Sequence, residues 1–261
     1  MISSDHIVEA SGLSFSYGEG RTIIDCLDMS VGRASMTAII GANGSGKSTL
    51  MALFCALRKA SSGSVRLNGV ELNSISKGEL ARRVAYVPQS VPVVFPFTSL
   101  EIVLMGRSPH LGRFGIESSA DIDIAMSALE EVGAAHVASQ PVTMLSSGEK
   151  QMVFVARAIA QQPELLLLDE PSGFLDLLHR AQLIRALRGL CDSRGMTALM
   201  VTHDLMLLEP SFDHVFALSR GKILAEGPPR DVLTADVLRD TFRVNIHTLK
   251  EEGKIFVWSE V

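Results

Sequence analysis

The chain has 261 residues, 24 basic and 29 acidic, for a formal charge of -5. That length suits one large α/β domain, and without any long basic run the charge lacks the footprint of a dedicated DNA or RNA binder, which excludes nucleic acid as a main partner. A mean hydropathy of +0.26 predicts a largely buried parallel sheet together with a docking surface, yet no apolar stretch approaches the roughly 20 residues of a membrane-spanning helix.

The N-terminal "MISSDHIVEASG" carries acidic residues and no apolar core, unlike a secretory signal. "LSFSY" and "TIIDCLDMSV" alternate as short strands, and "MTAII" is a compact apolar strand. "KSTLMALFCAL" reads as a helix, "RVAYV" as a strand, and "MVFVARAIA" as a helix leading into "ELLLLDE", whose unbroken leucines suit a strand covered on both faces. A helix over "DLLHRAQLIRALRGLCDSRG", ended by Gly195, precedes the strand "MTALMVTH". The alternation predicts a mainly parallel sheet between helices.

Residues of about 90 to 160 interrupt it with helical segments. "TSLEIVLMGR" places Thr98 and Glu101 at capping-box spacing, and "SSADIDIAMSALEEVG" is an amphipathic helix closed by Gly133. That block is expected to be a helical subdomain inserted into the sheet domain. Beyond residue 220, "RGK" predicts a hairpin turn, "PPRDVL" a helix start and "GKIFVW" a final strand. Cys26, Cys55 and Cys191 are far apart and odd in number, as expected of buried free thiols rather than a disulfide or zinc set.

The chemistry concentrates in four places. "GANGSGKST", Gly41 to Thr49, follows a strand and opens a helix, matching Gly-x-x-x-x-Gly-Lys-Ser/Thr in full. Its backbone amides, from Gly41, Asn43, Gly44, Ser45 and Gly46 onward to Thr49, are placed to wrap phosphates, with Lys47 reaching the β and γ groups and the Ser48 hydroxyl on Mg²⁺. "LLLLDEP" puts Asp169 and Glu170 at the carboxyl end of a buried strand, the edge where open α/β sheets bind ligands. Asp169 is expected to hold Mg²⁺ in its outer shell and Glu170 to polarise the attacking water. His203 ends the next predicted strand and can reach a γ phosphate; the "HD" pair could also belong to a metal phosphohydrolase, but the further ligands that chemistry needs are missing. The other six histidines are read as ordinary surface or core residues. Finally "LSSGE", Leu145 to Glu149, opens the helix "EKQMVFVARAIA", so Ser146, the backbone from Ser147 to Gly148 and the helix dipole form a second donor array for an anion.

These residues, in this order, resemble the ATP-binding subunit of an ATP-binding cassette (ABC) transporter, over nearly the whole chain. The resemblance implies a P-loop NTPase core of class α/β, with an antiparallel β subdomain and an inserted helical subdomain. It implies that Tyr17 in "FSYG" stacks on adenine, that Gln89 in "YVPQS" is the Q-loop glutamine and a Mg²⁺ contact, and that "LSSGE" with Ser146, Ser147, Gly148 and Glu149 is the signature. It likewise makes "FLD" a D-loop ending at Asp176, and His203 the switch histidine. Cassettes of this family pair head to tail, with each ATP between one copy's phosphate loop and the other's signature; the expected cofactors are ATP and Mg²⁺ and the expected assembly a homodimer. Two departures stand out. Ser147 replaces the first signature glycine, which costs about 1 to 2 kcal/mol if that position needs a positive φ, and "PSGFLD" is an unusual D-loop.

"SVPVVFPFTSLEIVLMGRSPHLGRFG" resembles the matching segment of type II importers of iron siderophores, haem, vitamin B12 and molybdate. That implies two integral membrane permease subunits, a solute-binding protein met indirectly, and a place on the cytoplasmic face of the cell membrane. The apolar run Val91 to Phe97 is the expected wall of the permease-docking cleft, or else simply a packed loop. A soluble ABC ATPase or an ATP-binding regulatory protein are the competing readings.

Overall fold

The computed structural model describes residues 5–18, 20–91, 95–112, 115–173, 175–251 and 254–259. In chain order the elements are β1 (His6–Ser16), β2 (Thr22–Gly32), β3 (Met36–Ile40), α1 (Lys47–Phe54), β4 (Ser62–Leu67), β5 (Val70–Glu71), α2 (Lys77–Arg83) and β6 (Val84–Val87). Then follow α3 (Ser99–Leu104), α4 (Ser119–Glu131), α5 (Ser147–Ala160), β7 (Leu165–Asp169), α6 (Leu177–Arg194) and β8 (Thr197–Val201). The chain continues through α7 (Leu208–Ser211), β9 (His214–Ser219), β10 (Lys222–Gly227), α8 (Pro229–Val232), α9 (Ala235–Phe242), β11 (Ile246–Glu251) and β12 (Lys254–Ser259). They form two compact units, one of Met1–Ile75 with Thr197–Val261 and the other of Ser76–Met196.

In the first unit β3 pairs in parallel with β8 on one side and β9 on the other, and β10 folds back antiparallel on β9 through the turn at Arg220 and Gly221. Every residue of β3 and β8 is buried, which explains why "MTAII" and "TALMV" run apolar without alternation. A separate antiparallel sheet in the order β2-β1-β4-β5 alternates buried and exposed residues, as a sheet with one wet face does. The hairpin β11–β12 buries Ile246 and Ile255 and leaves Leu249, Phe256 and Trp258 exposed.

In the second unit β6 and β7 pair in parallel, with Tyr86 opposite Leu167. Between them the described residues form helices and turns, apart from one bridge between Thr98 and Pro141. Capping boxes start three helices: Thr98 with Glu101 on α3, Ser118 with Asp121 on α4, and Ser146 with Glu149 on α5. In each, the hydroxyl takes a backbone N–H of the first turn and the acid returns a bond to the cap residue, satisfying donors that a helix end otherwise leaves open. Arg107, 6% exposed, ties the helices together by donating to Asp121 Oδ1 (2.9 Å), the Ala160 carbonyl (2.8 Å) and Gln162 Oε1 (3.0 Å). A buried guanidinium is tolerable because its donors are met in this way. Asp121 is held well below the ordinary carboxylate range, first by the Ser118 hydroxyl and amide and then by Arg107.

Three expectations need correction. The helix after the phosphate loop stops at Phe54, and Cys55 to Leu57 lie beyond it. None of the cysteines is in a disulfide, but Cys191 alone among them is buried; Cys26 is exposed and Cys55 half-buried, its thiol pushed up to about 11 chiefly by burial. Strands β4, β5 and β11 and helices α2, α7 and α9 add to the elements read from the sequence. None of the described helices is long and apolar enough to cross a membrane.

Candidate nucleotide site

The phosphate loop belongs to the first unit. β3 delivers the chain to Gly41, where a Cβ would lie 2.3 Å from the Leu218 carbonyl of β9, so only glycine fits. Gly46 caps α1 with φ 111°, a backbone that favours glycine, and a Cβ there would also crowd the Ile23 carbonyl at 3.1 Å. α1 has no side-chain cap and no acidic residue in its first turn, unlike α3, α4 and α5, so its positive end stays open to an anion. Asn43, Gly44 and Ser48 are exposed, whereas Ser45 and Thr49 are buried. Lys47 is 5% exposed and its Nζ donates to the carbonyls of Gly41 (2.8 Å) and Ala42 (3.1 Å), which holds the ammonium against the loop.

Tyr17 reaches the same loop. Its hydroxyl lies 3.4 Å from Thr49 Oγ1, Phe15 meets its ring edge-on at 4.9 Å, and the Arg58 guanidinium stands 5.5 Å from the ring centroid. The ring is still half exposed, as a stacking platform must be. His203 is exposed two residues beyond β8, on a loop whose buried Thr202 accepts a bond from the Asp204 amide at 3.0 Å.

The acid pair belongs to the second unit. Asp169, 3% exposed, ends β7 and accepts from Tyr86 Oη of β6 at 3.4 Å. Glu170 follows with φ +50°, a left-handed backbone that costs a non-glycine residue about 1 to 2 kcal/mol. Such strain persists where the surroundings enforce it, most often at working sites. Gln89 Nε2 donates to Glu170 Oε2 at 2.8 Å, which orients the carboxylate and leaves the amide oxygen of Gln89 for a cation.

The signature also lies in the second unit. Ser146 caps α5, and its hydroxyl and amide both bond Glu149 Oε2, at 2.6 and 2.9 Å. Glu149 is drawn below its ordinary range first by the Ser146 hydroxyl, then by its amide. The capping box thus uses the donors of Ser146 internally, and the amides of Ser147, which is exposed, and Gly148, which is buried, are first-turn donors without an acceptor inside the helix. Ser147 is the first helical residue and has no positive φ, so the strain expected of a serine at that position does not exist. Turnover of Ser147→Gly is accordingly expected to equal that of the unaltered chain in a steady-state ATPase assay; a clear rise would restore the strain argument. Asp176 caps α6, accepting from the His179 amide at 2.8 Å. Phe174 of the D-loop, residues 92–94 of the apolar run and residues 113–114 of "HLGRFG" lie outside the described residues.

Five contacts escaped the reading of the sequence: Tyr86 on Asp169, Arg58 on Tyr17, Arg107 on Asp121, His136 on Glu149 (3.5 Å) and His179 on Asp176 (2.8 Å). The two histidines are surface residues that each lie against an acid at a motif. Tyr86, three residues before Gln89 in "YVPQ", carried a usable signal.

Residues 24–173 match the family model described as ABC transporter. The iron(3+)-hydroxamate import ATP-binding protein of Bacillus subtilis (strain 168) is 37% identical over 89% of this chain and 86% of its own length. The hemin import ATP-binding protein of Bradyrhizobium diazoefficiens is also 37% identical, over 96% of this chain and 94% of its own. Among solved structures, a chain from an inward-facing ABC transporter described as of metal-chelate type superposes with a TM-score of 0.82 at 28% identity, covering 97% of this chain and 96% of that one. The chain belongs to the ABC transporter family, as an ATP-binding, ATP-hydrolysing subunit. Its fold is that of the ABC ATPases: a mixed, mainly parallel sheet with an antiparallel β subdomain and a helical subdomain.

Proposed function

We propose that this ATPase powers a type II importer for a metal chelate or tetrapyrrole-like solute, such as a siderophore–iron complex, haem or vitamin B12. Support comes from the relatives, whose names specify iron(3+)-hydroxamate and hemin import, each alike over nearly the full chain. The observation that supports coupling to a membrane partner is an exposed aromatic pair a few residues after Gln89 in the sequence. Phe95 and Phe97 stand 65% and 41% exposed, their ring centroids 6.1 Å apart, on a segment that leads into the capped helix α3. An adjacent pair of exposed aromatic rings supports reading this segment as a docking surface, since aromatic residues are favoured as interface anchors.

In the proposed mechanism Tyr17 stacks on adenine, the amides of Gly41 to Thr49 and Lys47 hold the phosphates, and Glu170 activates water with Gln89 orienting it. His203 bonds the γ phosphate. Mg²⁺ is the expected ion by donor chemistry: the hydroxyl of Ser48, the amide oxygen of Gln89 and the carboxylate of Asp169 are each hard oxygens of the kind it takes, as are phosphate oxygens. Bound there, the ion would neutralise charge that develops on the phosphates. Two copies pair head to tail, so that the amides of Ser147 and Gly148 in one, on the helix start that Ser146 fixes through its bonds to Glu149, complete the γ-phosphate shell in the other, with Asp176 at the joint. Permease subunits place the dimer on the cytoplasmic face of the membrane, and a solute-binding protein acts through them.

Phe95→Ser combined with Phe97→Ser tests the importer reading. The doubly substituted chain should keep its own ATPase rate but no longer co-purify with a multi-spanning membrane protein encoded beside it. Undiminished co-purification would place the docking surface elsewhere.

A further inference from the structure

A cleft of about 690 Å³ lies wholly within the first unit, between the β9–β10 turn and the end of α9. Arg220, Lys222, Arg239 and Arg243 line it against one acid, Asp240, in a chain whose overall charge is negative. Lys222 is paired with Asp25 (2.9 Å) and Arg239 with Asp236 (3.1 Å). Arg220 and Arg243 make no ion pair or side-chain hydrogen bond among the described residues. We infer that this cleft binds a phosphate-type anion, gripped by the guanidinium groups of Arg220 and Arg243.

The chemistry favours that ligand. Guanidinium groups present a planar fork of donors that matches phosphate oxygens in bidentate fashion, and the two that are not already neutralised face one concavity. Arg220 occupies the first position of a two-residue turn with positive φ at both residues, 51° for Arg220 and 77° for Gly221, where Asn, Asp or Gly is the usual choice. A charged side chain therefore stands where the backbone alone would select a smaller one. The turn is also bonded to the phosphate loop: the Gly221 amide donates to the Ser45 carbonyl (2.9 Å), and its carbonyl accepts from the Asp25 amide (3.1 Å). The cleft is separate from the loop, but the same turn supports both.

The test is calorimetric titration of inorganic pyrophosphate into the full chain with its nucleotide site filled by ADP, at low ionic strength where screening is weak. The unaltered chain should bind, Arg220→Gln with Arg243→Gln should weaken binding by about tenfold or more, and Asp240→Asn should tighten it by removing a repelling charge. Asp240→Asn excludes a merely structural effect, since a damaged fold does not improve affinity. A parallel arm uses co-sedimentation with phosphatidylcholine vesicles with and without phosphatidylglycerol. Binding only to the phosphatidylglycerol vesicles assigns the site to a lipid headgroup, and binding only to pyrophosphate assigns it to a soluble anion; either upholds the inference. Binding of neither probe, or unaltered affinity in either variant, overturns it. The turn meets the phosphate loop through backbone bonds of Gly221, which these side-chain substitutions leave in place, so ATPase rates should stay unchanged in both variants and failure here is distinguishable from failure of the ATPase assignment.

Discussion

Glu170→Gln is expected to slow ATP hydrolysis by about 10²- to 10⁴-fold, the usual loss when a general base is removed, while ATP still binds. Glutamine keeps the size of the side chain and an oxygen able to accept from Gln89 Nε2, so the 2.8 Å contact survives. The left-handed backbone at position 170 is no worse for glutamine than for glutamate. What disappears is the negative charge that draws a proton from water, and the effect should therefore fall on turnover rather than on affinity. Phosphate release at saturating ATP, set beside an independent measurement of nucleotide affinity, separates the two. Turnover near that of the unaltered chain would remove Glu170 from the role.

Lys47→Ala should fail earlier, at binding. The ammonium is 5% exposed and is held by two loop carbonyls, so its loss removes both a charge for the phosphates and a brace within the loop. A charge-assisted contact contributes about 1.5 to 3 kcal/mol, equivalent to roughly 10- to 10²-fold in affinity for that bond alone. Lys47→Arg should not restore binding fully, because a broad guanidinium does not replace a compact ammonium in a closed loop. Fluorescence titration with a labelled nucleotide checks this, with the thermal midpoint confirming that the variant is folded. Unchanged affinity would mean that the loop does not carry the phosphates.

The features legible in the sequence were those set by local chemistry. The unbroken apolar runs of β3, β7 and β8 announced strands buried on both faces. The glycines of the phosphate loop announced a backbone that other residues cannot adopt, as the steric limits at Gly41 and Gly46 bear out. The Thr98 and Glu101 spacing announced the start of α3; the same device at Ser118 and Ser146, which the sequence reading did not single out, starts α4 and α5. What stayed hidden depends on which distant residues meet. Tyr86 contacts Asp169 across 83 residues through a parallel register that no local pattern encodes. The three bonds of Arg107 bring together helices far apart in sequence. Ser147 misled for another reason: a glycine in the family pattern suggests a positive φ, but the position is the first residue of a helix. β4 and β5 were overlooked although "VRLNGVEL" carries a usable signal: Asn68 and Gly69 form a two-residue hairpin turn with φ of 52° and 76°, and Leu67 pairs with Val70 across it.

The proposed account rests on ATP joining two copies of the chain, with the amides at the start of α5 closing on a nucleotide held by the other copy. Light scattering of the Glu170→Gln chain during gel filtration with ATP and Mg²⁺ addresses this most directly, since slow turnover keeps the nucleotide intact. The account predicts twice the 28.1 kDa mass of one chain with ATP and a single-chain mass with ADP. A single-chain mass in both, with ATP shown to be bound, would contradict it.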